Sequence, residues 1–186
     1  MLKHRFKNMC YDKDFLFNKT TTLSQFMTKL RKQSHKYPDN YEPDTYYGDG
    51  FEALIESLIH QLGTSTLISC KNYTPVMDDD LGVDGYGYGP DGEIHTVQIK
   101  ARSNPTSVLT ANKDHISNFV AHSHSKFGGD SKVKYLTIFT TAQDLHHVAQ
   151  KMYDGEVNVI HNKKIESVID NNPLFWEVFR DQMMTS

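Results

Sequence analysis

The sequence predicts an α/β domain: a mixed central sheet of about five strands flanked by helices, preceded by a basic helical extension. Three observations carry this. Apolar residues recur at helical spacing in some segments, while short β-rich runs occupy others. The two kinds alternate along most of the chain, as layered α/β domains require. A proline-containing turn joins two of the strand-like segments into a hairpin.

The elements follow in order. Residues 20–35 (TTTLSQFMTKLRKQSH) read as an amphipathic helix: Leu23, Phe26, Met27 and Leu30 share one side behind a threonine cap. Tyr37–Gly50 holds two prolines and several acids and reads as a linker. Residues 50–62 carry the strongest helical pattern, with Phe51, Leu54, Ile55, Leu58, Ile59 and Leu62 on one stripe and Gly63 as terminator. A short strand is expected at 66–70. Residues 82–89 and 93–102 then flank Gly89-Pro90-Asp91-Gly92, a turn with proline in the initiating position. A helix over 111–124 would present Ile116, Phe119 and Val120. Residues 133–140 (VKYLTIFT) read as a buried strand, 142–152 as a helix and 156–161 as a strand. Helices at 164–170 and 173–183 close the chain, with Phe175 and Trp176 as a hydrophobic plug. The boundaries expected are an extension over 1–47 and the main domain over 48–186.

The 186 residues suffice for one core and some extra. No apolar run reaches membrane-spanning length, and the N-terminal residues have no apolar signal region. The two cysteines, Cys10 and Cys70, form neither a disulfide framework nor a metal-ligand spacing. A cytoplasmic, intracellular protein without a membrane partner is expected, in a host-cell cytoplasm if phage-encoded. The net charge of −3 hides an asymmetry. Residues 1–36 hold nine Lys/Arg against Asp12 and Asp14, so the remainder carries −10. A basic arm suits a polyanion such as DNA; a solvated helical face explains it about equally well. Lys29, Arg31 and Lys32 are the arm's candidate contacts.

The hairpin brings chemistry together. With Pro90 and Asp91 at its tip, Asp84 falls opposite Val97 or Gln98. Gln98 and Lys100 share one face of their strand, and Val97 and Ile99 the other. Folding alone has no need for a lysine there. Phosphodiester hydrolysis does need such a set: oxygen ligands for a hard cation, and a cation near the water and the developing charge. Asp84, the Gln98 amide oxygen and the Ile99 carbonyl could hold Mg²⁺ or Mn²⁺. Arg102 continues the Gln98–Lys100 face and could meet a phosphate. The histidine pairs His122/His124 and His146/His147 lack the spacing of a helical zinc motif and read as surface residues.

These segments resemble the PD-(D/E)xK nuclease superfamily, most closely its Mrr-like branch, in which the last acid is a glutamine. GDGFEALIESLIHQLG (48–63) resembles its first helix, GVDG (82–85) its metal-acid turn and VQIK (97–100) its QxK strand. LTIFTTAQDLHHVA (136–149) and NVIHNKKIESVI (158–169) resemble its later strand–helix units. The resemblance spans about residues 48–170. It implies a restriction-endonuclease-like core and a Mg²⁺-dependent DNA endonuclease. Glu52 would be the helix-borne acid, Asp84 the principal metal ligand, Gln98 a second ligand and Lys100 the catalytic lysine. The sequence departs from the family name at two places: Val83 stands where the proline would, and Gln98 where an acid would. Glu52 has a rival in Glu56, one turn on, and a structural explanation as the partner of Asp49 in a capping box. Double-stranded DNA is the expected substrate. Cutting both strands needs two sites, which a homodimer supplies. With no GxxxxGK[ST] loop, translocation would come from a separate helicase or translocase. Two alternatives remain beside this reading: a nuclease selective for branched DNA, and a non-catalytic nucleic-acid-binding module on the same fold. Host defence, phage DNA degradation and repair all fit.

Overall fold

A computed structural model describes residues 2, 12–36, 42–63, 68–76, 82–104, 106–109, 116–128 and 132–185. Outside them lie most of the arm before Asp12 with Lys3, Arg5, Lys7 and Cys10, residues 37–41 of the expected linker, 66–67 of the expected strand and 111–115 of the expected helix.

The chain is a mixed α/β protein. It opens with α1 (Lys13–Phe17), α2 (Leu23–Ser34) and α3 (Pro43–Leu62). The expected α2 is present, its N-terminus capped by the Thr22 hydroxyl, which accepts the Gln25 N–H at 3.2 Å. α3 corrects the linker: it begins at Pro43, seven residues before the expected start. Proline is pre-organised for a first helical turn, so the residue that signalled a loop instead starts a helix. Asp49 therefore sits inside the helix, buried, and cannot cap it. The capping-box explanation of Glu52 falls with it.

Three strands follow: β1 (Lys71–Pro75), β2 (Gly85–Tyr88) and β3 (Ile94–Lys100). The strand expected at 66–70 lies a few residues later, as β1. Asn72 there has a φ of 53°, and the β1–β2 register shifts between Lys71 and Thr74. The β2–β3 turn falls at Gly89–Gly92 as expected, with Gly89 N–H donating to the Glu93 carbonyl at 2.7 Å. Then come β4 (Val108–Leu109), α4 (Asn118–Phe127), β5 (Val133–Thr140), β6 (Asp144–Leu145), α5 (His147–Met152), β7 (Val157–Ile160), α6 (Asn162–Asp170) and α7 (Phe175–Met184). The helix expected over 142–152 is shorter, because residues 144–145 pair with β4 as a parallel two-stranded sheet. The main sheet has the order β1-β2-β3-β5-β7. β1–β2 and β2–β3 are antiparallel; β3–β5 and β5–β7 are parallel. The carboxyl ends of β3, β5 and β7 thus lie along one edge.

Each sheet face has its own apolar layer. On one, Val97, Ile99, Phe139 and Ile160 pack with α1, α2, α3, α6 and α7. Phe51, Leu54, Ile55 and Leu58 of α3 are completely buried there, each contributing roughly 1.5–3 kcal/mol. Phe26 of α2 meets Phe179 of α7 at 5.5 Å and Trp176 at 5.7 Å, so α2 is held within this layer. On the other face, Leu136 and Ile138 pack with Val83, Ile116 and Phe119. No described helix is long and apolar enough to cross a membrane.

Candidate active site

The hairpin ends in an irregularity that aims Asp84. Gly85 pairs with Val97, yet the Asp84 N–H also donates to the Val97 carbonyl, at 2.9 Å. Two residues of one strand facing one of its partner is bulge geometry, which re-aims a side chain. Asp84 is consequently turned along β3. Its Oδ2 accepts the Ile99 N–H at 2.5 Å. Of the two positions open to Asp84, the structure takes Val97.

The Lys100 carbonyl faces β5, accepting the Thr140 hydroxyl at 2.8 Å and the Thr141 N–H at 3.3 Å. Strand alternation therefore turns the Ile99 carbonyl, like its N–H, to the Asp84 side. Gln98 is 1% exposed. Its Nε2 donates to the Gly82 carbonyl at 2.9 Å, while its Oε1 is buried with no hydrogen-bond partner. Gly82 suits glycine: φ is 88°, and a Cβ would stand 3.3 Å from Gln98 Nε2. Gln98 points to the α4 face, as does Thr96, whose hydroxyl donates to Ser123 Oγ at 2.8 Å. Lys100 shares that face by parity and is half-exposed.

Glu52 and Glu56 come from α3, across the opposite face. Their charges are felt at Tyr73, a residue that sequence reasoning passed over. Its phenol is buried beside Gly85, where an added Cβ would lie 2.2 Å from the hydroxyl. Burial first, then the Asp84, Glu52 and Glu56 carboxylates, hold Tyr73 protonated well above the usual phenol range. Tyr73 is thus a neutral group among acids. Of the two rival acids, Glu56 is the more buried, at 1% exposure.

Among the described residues, no three His, Cys, Asp or Glu side chains are grouped to hold a metal ion. The donors present at β3 are of another kind: one carboxylate, a backbone carbonyl and an orphaned amide oxygen. All are hard oxygen donors of the sort Mg²⁺ takes. A buried acceptor without a partner is costly, and a cation beside Gln98 Oε1 would remove that cost.

The other predicted contacts separate. The Lys29 ammonium is engaged locally, with the Asn18 carbonyl and, at 2.7 Å, the Thr20 hydroxyl. Arg31, Lys32 and Arg102 converge on one cavity. Comparisons with protein-family models, curated proteins and solved structures return no match to this chain.

Proposed function

We propose that this protein is a divalent-metal-dependent deoxyribonuclease of the PD-(D/E)xK kind, nearest the Mrr-like branch, acting on double-stranded DNA with a D-QxK site. One observation above all supports the reading. The β2 bulge ties the Asp84 carboxylate to the backbone of Ile99, between Gln98 with its orphaned Oε1 and Lys100. Asp84, Gln98 Oε1 and the Ile99 carbonyl would hold Mg²⁺ or Mn²⁺. That ion would supply an activated water and a counter-charge for the phosphate. The Ile99 N–H fixes the Asp84 carboxylate in one orientation. Lys100 orients the water and offsets charge developing on the phosphate.

The test is incubation with plain duplex, single-stranded and four-way-junction DNA, with Mg²⁺, Mn²⁺ or EDTA, for wild type and Asp84→Ala. Metal-dependent cutting lost in the variant is expected. Preference for the junction would make the enzyme structure-selective. A second reading is a non-catalytic nucleic-acid-binding module on the same fold. DNA binding without cleavage in either metal would select it.

A further inference from the structure

A cavity of about 450 Å³ opens where the parallel strands end. Arg102 just past β3, Thr141 just past β5 and Asn162 just past β7 line one side. α2 forms the opposite wall. In open α/β sheets, ligands bind outside the carboxyl ends of the strands. The volume falls in the range of pockets that enclose small organic ligands, roughly 300–1,000 Å³.

The lining has two characters. Arg31, Lys32 and Arg102 contribute three positive charges, against one carboxylate, Glu166. Arg31 is held in place: its Nη1 pairs with Asp44 at 2.6 Å, and its guanidinium lies 4.0 Å over the Tyr47 ring. Asp44 offsets part of that charge, but the Arg31 Nη2 is buried with no acceptor. A guanidinium at the wall thus retains unmet donor capacity. Leu23 and Met27 of α2, with the Tyr47 ring, give the lining an apolar part, set among hydroxyl and amide side chains. Asn162 opens α6 at the same cavity, and no side chain caps that helix. Its N-terminus adds a weak bias toward anions.

Cations around an aromatic and aliphatic floor match a ligand with a phosphate and a flat body. We propose that this cavity binds a nucleoside monophosphate unit, its phosphate on Arg102 and Lys32 and its base against Leu23, Met27 and Tyr47. The unit could be a free mononucleotide or the 5′-phosphorylated terminal nucleotide of a DNA strand. The proposal does not require phosphodiester cleavage. The two sites are nonetheless neighbours, since Lys100 and Arg102 are two residues apart on one chain segment.

Binding to the full chain in EDTA tests this apart from any cleavage. One pair of probes is deoxyadenosine and its 5′-monophosphate. The other is a short single strand with a 5′-hydroxyl or a 5′-phosphate. The phosphorylated member of at least one pair is expected to bind about tenfold or more tightly, as a charge-assisted phosphate contact implies. Discrimination within the nucleoside pair identifies a diffusible nucleotide; discrimination within the oligonucleotide pair alone identifies a strand end. Both outcomes support the site. Lys32→Gln, at an exposed side chain, and Arg102→Gln should each remove most of the preference. The proposal is overturned if neither pair discriminates, or if the preference survives in the folded double variant.

Discussion

The Asp84 carboxylate accepts the backbone N–H of Ile99 at 2.5 Å, across fifteen positions of sequence. The contact extends the β2–β3 ladder by one side-chain bond beyond the last paired residue. It also makes the carboxylate part of the hairpin rather than a free surface group. Asp84→Asn and Lys100→Ala should each reduce metal-dependent DNA cleavage at least about a hundredfold, the scale of losing a positioned electrostatic group. Circular dichroism should remain that of the wild type. Wild-type cutting rates in Mg²⁺ for either variant would remove these residues from the site.

Gln98 carries the metal part of the reading. In wild type, Mn²⁺ should raise the melting temperature, because a ligand that binds only the folded chain stabilises it. Gln98→Leu should abolish that rise, and Gln98→Glu should enlarge it by adding a charged ligand. An equal Mn²⁺ shift in all three proteins would show that the amide oxygen does not meet the ion.

Gly85 makes room for Tyr73. An alanine there would set its Cβ 2.2 Å from the Tyr73 hydroxyl, 2.3 Å from Cζ and 2.5 Å from Cε2. Gly85→Ala should therefore cost roughly 1–3 kcal/mol in urea unfolding, as overpacking does. Tyr73→Phe should give little relief, since the ring carbons clash as well. Combination with Tyr73→Leu should cost less than the sum of the single changes. Strict additivity would mean that the two side chains do not compete for the same space.

His95 sets a pH limit on stability. Its Nδ1–H donates to the Ser69 carbonyl at 2.9 Å, and Nε2 accepts the Thr137 hydroxyl at 2.8 Å, so the neutral ring satisfies both partners. Burial lowers its pKa below the ordinary value. The unfolded chain therefore takes up the proton first. Stability is full above about pH 6.5 and falls as pH drops below it towards the folded value, by at most about 1.4 kcal/mol per pH unit. His95→Asn should flatten the slope of unfolding free energy on the acid side. An unchanged slope would assign the acid loss to other groups.

Much of this is legible in the sequence. The helical stripe of α3, the Pro90-Asp91 turn and the β5 run each carry a local signal, and they place Asp84, Gln98 and Lys100 near one another by arithmetic alone. The start of α3 was not, because Pro43 is equally at home in a loop and in a first helical turn. The bulge was not either: which of Val97 and Gln98 faces Asp84 depends on a backbone slip that side-chain periodicity does not encode. Tyr73 was hidden because the strand expected at 66–70 stops short of it, whereas β1 runs over Lys71–Pro75. A trace of it was present in GYGYG, where Gly85 and Gly87 strip one face of β2 of side chains and leave space for β1. The cavity past the strand ends joins α2 to β3, β5 and α6, elements far apart in sequence, and no window of the chain contains it.

β1 is an outer strand of the main sheet, and it is a poor template for another chain. The left-handed Asn72 breaks its register, Lys71 puts a charge at one end, and Pro75 withholds an amide at the other. These features disfavour the pairing of strands from neighbouring molecules along this border, and so work against edge-to-edge aggregation at high concentration. Self-association by way of this side of the molecule is then better served by helices and side chains than by a shared ladder of backbone bonds.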